Sequence, residues 1–148
     1  MYKHILVATD GSKLSMKAVR TAATLAGSLG ARLTALHVMP SYVPPVYGEG
    51  AIFIPEMTPK GFKAAVEKEA QAALASAAKA ADEVDVAVNS VKATDPQPWN
   101  AIIKTARTKK CDLVVMASHG RRGLSGLLLG SETTKVLTHS KVPVLVVR

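Results

Sequence analysis

The stretch Cys111-Asp-Leu-Val-Val-Met-Ala-Ser-His-Gly-Arg-Arg-Gly-Leu-Ser-Gly-Leu-Leu-Leu-Gly-Ser-Glu-Thr-Thr-Lys-Val-Leu-Thr-His139 divides into three parts. Cys111 to Ala117 is an apolar run of the kind a buried strand requires, and Ser131 to His139 reads as a short helix. Between them, the segment from Met116 to Ser131 is a glycine-rich loop. Glycines let backbone approach a ligand closely, and a helix N-terminus offers unpaired N–H groups at the positive end of a dipole. A strand, such a loop and a helix in this order suit a phosphorylated ligand. Arg121 and Arg122 carry the matching sign of charge.

The same alternation runs outward along the chain. Lys3 to Thr9 is a continuous apolar strand broken by Asp10-Gly11-Ser12. Lys13 to Leu29 places Met16, Val19, Ala22, Ala23, Ala26 and Leu29 at helical spacing, with Gly30 as its stop. Ala31 to Val38 is a second strand. Gly61 to Glu83 is a helix with Val66, Ala70, Ala73, Leu74, Ala77 and Ala81 on one face and charged residues on a solvated one. Asp85 to Ala93 alternates like an edge strand, Pro98 starts a helix carrying Trp99, Ile102, Ile103 and Ala106, and Val142 to Val147 is the last strand. Pro40 to Pro59 holds five of the eight prolines and exposed-looking Tyr42, Tyr47 and Phe53, so it reads as a long irregular segment, either a lid or partner surface or a disordered insertion.

Five strands alternating with four helices predict an α/β fold, a doubly wound, Rossmann-like parallel sheet in a single domain spanning residues 1–148. In the order 3-2-1-4-5 the chain reverses direction between strands 1 and 4, and ligands bind in that crevice, outside the carboxyl ends of the strands. The loops flanking it are Thr9 to Ser12 and Ala117 to Ser131, the two most loop-specific stretches in the chain.

Composition narrows the function. The formal charge is +8, from 19 Lys and Arg against 11 Asp and Glu, spread along the chain. This favours anionic partners without naming one. With 4% aromatic residues and no zinc-finger, basic-zipper or RNP-type signature, specific nucleic-acid binding is not expected. The single cysteine, Cys111, excludes an internal disulfide and reads as a packing residue. No apolar stretch has the length of a membrane span, and the N-terminus lacks a signal-peptide core, so a cytoplasmic protein is expected.

The glycine loop is neither a Walker loop, since no Gly-Lys-Ser/Thr ends it, nor the dinucleotide fingerprint, since it follows the fourth strand. Ser131 reads as the N-cap of the last helix, its hydroxyl accepting from the N–H of Thr133 or Thr134. Several blocks then resemble the universal stress protein family across almost the whole chain: Lys3-His-Ile-Leu-Val-Ala-Thr-Asp-Gly-Ser, Leu36-His37-Val38, Asp112-Leu-Val-Val-Met-Ala-Ser-His-Gly-Arg-Arg-Gly, Leu-Leu-Leu-Gly-Ser, and Pro143-Val-Leu-Val-Val. ATP-binding members of that family resemble a pattern of Gly, two residues, Gly, nine residues, Gly, then Ser or Thr. It falls here on Ala117, Gly120, Gly130 and Ser131, with alanine replacing the first glycine.

The resemblance implies that Ala8, Thr9 and Asp10 line an adenosine site and that Val38 offers backbone groups to the adenine edge. It implies further ligand contacts from Met116, Ala117, His119, Gly120, Arg121, Arg122, Gly130, Ser131, Glu132 and Thr133. The implied ligand is ATP or AMP, with Mg2+ or Mn2+ held through the phosphates. It also implies a homodimer paired through Val142 to Val147 and a downstream protein partner of unknown identity. Asp10 has a second reading as a turn or capping residue, His37 reads as a satisfied histidine at the core edge, and Arg121 and Arg122 either pair with phosphates or remain in solvent. His4 and His139 belong to no metal constellation. No Ser-His-Asp or Cys-His set can be argued from spacing, which favours binding over catalysis. A slow metal-dependent ATPase or phosphotransfer enzyme using Asp10, and a nucleotide-free dimeric interaction module, are the alternatives.

Overall fold

The computed structural model describes residues 1–46, 48–52, 54–121, 123 and 129–148, with Glu56 described by its backbone alone. The elements are β1 His4–Ala8, α1 Lys13–Leu29, β2 Arg32–Met39, α2 Pro59–Asp82, β3 Val88–Thr94, α3 Pro98–Thr108, β4 Leu113–Ala117, α4 Ser131–His139 and β5 Val144–Val147. A 3-10 turn, Pro55–Met57, precedes α2. All five strands are parallel in the order β3-β2-β1-β4-β5. The expected doubly wound sheet is therefore the observed one.

Alternation along the central strands explains the layers. Ile5 and Val7 of β1, Leu33 and Ala35 of β2, and Leu113 and Val115 of β4 pack on one face, under α1 and α2. Leu6, Leu36, Val114 and Met116 point to the other face, where Ile102 and Ala106 of α3 and Val136 of α4 cover them. Small residues let the first layer close tightly: Ala18, Ala22, Ala23 and Ala26 of α1 and Ala70, Ala77 and Ala81 of α2 are at most 1% exposed. Ser12 caps α1, its hydroxyl accepting the Ser15 N–H at 3.2 Å, and Gly30 ends it in the left-handed region at φ 62°.

Boundaries shift where turn chemistry intervenes. The second helix begins at Pro59 and not Gly61, because Thr58 accepts the Gly61 N–H at 3.0 Å and Pro59 occupies the first helical position. The third strand begins at Val88 and not Asp85. The chain leaves α2 through a turn in which Asp85 has φ 57° and the Val86 N–H donates to the Ala81 carbonyl at 3.0 Å. In the proline-rich segment, Tyr42 is half-buried and not exposed: its hydroxyl donates to the Met57 carbonyl at 2.9 Å and its ring meets Phe62 edge-on. Tyr47 and Phe53 lie outside the described residues. Among the described residues, no helix is long and apolar enough to cross a membrane.

Candidate functional site

The reversal of strand order lies between β1 and β4, and the loops leaving their carboxyl ends are tied together there. Thr9 extends β1 by one bond, its N–H donating to the Leu36 carbonyl at 2.9 Å. Its side-chain oxygen accepts the Gly11 N–H at 3.1 Å and shares a 3.0 Å bond with the Ser15 hydroxyl. The backbone then turns at Gly11, φ 78°, a conformation that favours glycine. Asp10 bridges the crevice. One carboxylate oxygen accepts the Ser12 N–H at 3.0 Å and the other the Arg121 N–H at 2.8 Å. Burial opposes ionisation of Asp10, but the bonds from Ser12 and from the Arg121 amide outweigh it and hold the carboxyl below its usual value.

On the β4 side, the Ser118 N–H donates to the Val147 carbonyl at 2.8 Å, and the Gly130 N–H returns to the Ser118 carbonyl at 2.7 Å. The loop is thus closed on itself where α4 begins. A Cβ at Gly120 would stand 2.8 Å from the Asp10 carboxylate, and one at Gly130 would stand 3.2 Å from the His119 Cα. Close approach is the reason for glycine at both positions. The Arg121 guanidinium meets the Glu69 carboxylate on α2, with one nitrogen 3.2 Å from where a Gly11 Cβ would be.

The whole chain, residues 1–148, matches the model of the Universal stress protein family. The chain belongs to the universal stress protein family. A universal stress protein of Bacillus subtilis is 35% identical over 149 residues, with 100% of each chain covered. One from Methanocaldococcus jannaschii is 34% identical over 148 residues, covering 100% of this chain and 83% of the relative. Among solved structures, a universal stress protein of Lactobacillus plantarum superposes with a TM-score of 0.80 at 24% identity, covering 99% of this chain and 98% of that one. A universal stress protein solved in complex with cAMP superposes at 0.73 with 26% identity, covering 99% of this chain and 97% of that one.

The residues that the universal stress protein motifs mark fall into two groups. Thr9, Asp10, His119, Gly120, Arg121 and Gly130 lie together on the two joined loops, with Ser131 following at the start of α4. Val38 approaches from β2. The Arg32 N–H and the Leu36 carbonyl both engage the β1 side, so strand parity turns the Val38 N–H and C=O the same way, past the last β1–β2 bond. Ala8 is half-buried and Ala117 buried at the strand ends below the crevice. Arg122 lies outside the described residues.

The other marked side chains are engaged elsewhere. Met116 is buried under α3 and α4. The Thr133 hydroxyl donates to the Ala117 carbonyl at 2.9 Å, and Glu132 accepts the Trp99 N–H at 2.8 Å, capping α3. What Glu132 and Thr133 present to the crevice is backbone: Thr134 is the first α4 residue whose N–H finds its helical acceptor, the Gly130 carbonyl at 3.0 Å. Ser131 is not the N-cap. Gly130 is, with φ −72° and ψ 160° and no side-chain bond, and Ser131 is the first helical residue.

His37 is satisfied at the core edge, its Nδ1 3.0 Å from the Thr9 carbonyl oxygen. Cys111 is buried, and burial together with the Asp112 charge pushes its thiol up to about 11, which keeps it protonated and unreactive. Glu69 and Ser118 escaped sequence reasoning. Glu69 reads as one of many solvated helix charges, and only the fold brings it to Arg121.

Proposed function

We propose that this chain is an adenine-nucleotide-binding universal stress protein of the ATP-binding kind, one domain over residues 1–148, acting as a dimeric regulatory protein in the cytoplasm. The observation that carries the reading is the junction of Asp10 with the Arg121 amide beside Gly120, where a Cβ would stand 2.8 Å from the carboxylate, and Gly130, where it would be crowded at 3.2 Å. It leaves a backbone-lined crevice where the first amides of α4 stand free of helical acceptors, the arrangement that receives phosphate oxygens. Val38 supports the other end, where one N–H and one C=O on the same side match the donor and acceptor edge of adenine. The solved relative in complex with cAMP, at 26% identity, supports the same ligand class.

Ala117 fits this reading despite replacing the first motif glycine, because it is 7% exposed and its carbonyl is bound by Thr133 beneath the loop. A divalent cation would be held by the phosphates. Both Asp10 oxygens already accept backbone N–H groups, and among the described residues no three His, Cys, Asp or Glu side chains cluster to hold a metal. The same engagement of Asp10 argues against its acting as a base in ATP hydrolysis.

Mass spectrometry of small molecules released by denaturing the purified protein, followed by calorimetry with adenosine, AMP and ATP, tests the reading. Release or binding of an adenine nucleotide is expected. Absence of both, in protein whose circular dichroism shows it folded, would leave the nucleotide-free interaction module.

A further inference from the structure

The Arg121 backbone is held by Asp10, but its side chain leaves the loop and ends on Glu69 of α2. The pair lies beside the turn after β1: Gly11 lies beside the guanidinium on one side and against Ala73 of the same helix on the other, 3.4 Å from its missing Cβ to the Ala73 Cβ. The two side chains are 50% and 44% exposed. Half-exposed pairs between long side chains are weak and screened, so a stronger anion arriving at the crevice can displace one. A phosphate brings more charge than a carboxylate and offers the guanidinium a bidentate partner.

We infer that Glu69 is an internal counter-anion that holds Arg121 and gives it up to nucleotide phosphate, so that α2 helps set the preference for ligands by their number of phosphates. This deepens the nucleotide reading and rests on it. Adenosine has nothing with which to compete for Arg121. AMP competes only if its one phosphate reaches the arginine, whereas the longer chain of ATP extends further from the ribose. Exchange of Arg121 from Glu69 to phosphate also releases this contact of α2.

The test is calorimetry on the full chain with adenosine, AMP and ATP, for the wild type, Glu69→Gln, Arg121→Gln and the double variant. Glu67→Gln serves as control: it removes the same charge from the same helix, but from a carboxylate paired with Lys92. Glu69→Gln is expected to tighten ATP about threefold to fivefold, the range a half-exposed ion pair supports, and to leave adenosine within about twofold. Glu67→Gln should give less than half that gain, and in the Arg121→Gln background the Glu69→Gln gain should vanish. Equal gains from Glu69→Gln and Glu67→Gln, an equal gain for adenosine, or a gain that persists without Arg121 would overturn the inference while leaving nucleotide binding intact. Absence of binding by every ligand to folded wild type would remove the nucleotide reading and this inference together.

Discussion

The Asp10 carboxylate accepts the Arg121 N–H at 2.8 Å across 111 positions of chain, and this bond joins the loop after β1 to the loop after β4. Its second oxygen binds the Ser12 N–H and orders the turn into α1. Asp10→Ala leaves two amides to solvent and should cost about 1–2 kcal/mol, the usual worth of bonds to a charged acceptor at a partly wet site. The sign of the pH effect follows from the lowered folded pKa. The stabilisation is present above the ordinary value of 3.8 and is lost as pH falls through the lower folded value. In urea melts of wild type and Asp10→Asn from pH 7 downward, the gap should narrow as pH falls below 3.8; a constant gap would contradict the assignment.

His4 titrates in a different window. It is 6% exposed, with Nε2 2.8 Å from the Thr34 hydroxyl oxygen. Burial first, then the Arg32 charge, lower its pKa below 6.5; Lys109 charge acts in the same sense, while the Lys109 backbone and the Asp112 charge oppose it. A histidine that resists protonation in the folded state stabilises fully above the unfolded value, and that contribution falls as pH drops from 6.5 toward the folded pKa. The denaturation midpoint should therefore decline as pH falls below 6.5, and His4→Gln should flatten that decline whatever its effect at neutral pH. An unchanged slope would place the acid sensitivity elsewhere.

Much of this fold is legible because burial on both faces makes the central strands continuous apolar runs, as in Ile5-Leu6-Val7 and Leu113-Val-Val-Met116, while α1 keeps its helical stripe. The strand order could be argued because Asp10-Gly11-Ser12 and the glycine loop had to meet for either to make a site, and they do. Side-chain partners distant in sequence were not legible. Nothing in the spacing of Glu132 points to Trp99, 33 positions away, or of Glu69 to Arg121, 52 positions away. The cap falls on Gly130 and not on Ser131 for a local reason: a glycine in extended conformation can itself provide the entry into α4, shifting the serine one place into the helix.

That shift yields opposite expectations for two neighbours. Ser131→Ala should leave the melting temperature within about 1 °C, since among the described residues its hydroxyl caps nothing. Glu132→Ala removes the acceptor for the Trp99 N–H at the start of α3 and should cost about 1 kcal/mol, as loss of a helix cap does. Thermal melts at pH 7 distinguish the two. A larger loss from Ser131→Ala than from Glu132→Ala would reinstate the serine cap.

The two close-approach glycines should differ in their cost. At Gly120 an added methyl meets the Asp10 carboxylate at 2.8 Å, so Gly120→Ala must push the loops apart at the bond that joins them. At Gly130 the nearest contact is 3.2 Å and φ is −72°, so alanine causes crowding without backbone strain, whereas valine adds a branched side chain beside His119. Nucleotide affinity should fall at least tenfold, about 1.4 kcal/mol, in Gly120→Ala and Gly130→Val, and less in Gly130→Ala. Calorimetry finding wild-type affinity in folded Gly120→Ala would move the ligand off this junction.

In β5, Val144 to Val147 pairs with β4 on one side, and its other side faces outward as the end of the sheet order. Leu145 is 38% exposed there, an apolar side chain on a strand edge, and such edges associate unless covered. Pro143 stands just before the strand, where its missing N–H is tolerated, and its carbonyl accepts the Val114 N–H at 3.0 Å. A second copy related by a two-fold axis would cover the edge with its own β5 and make the contact self-complementary. Light scattering should therefore give twice the 15.5 kDa chain mass for the wild type. Leu145→Lys, which places a charge at the proposed seam without touching the buried core, should shift the species to monomer with unchanged circular dichroism. A dimer that survives this substitution, or a wild type that is monomeric at micromolar concentration, would exclude β5 as the interface.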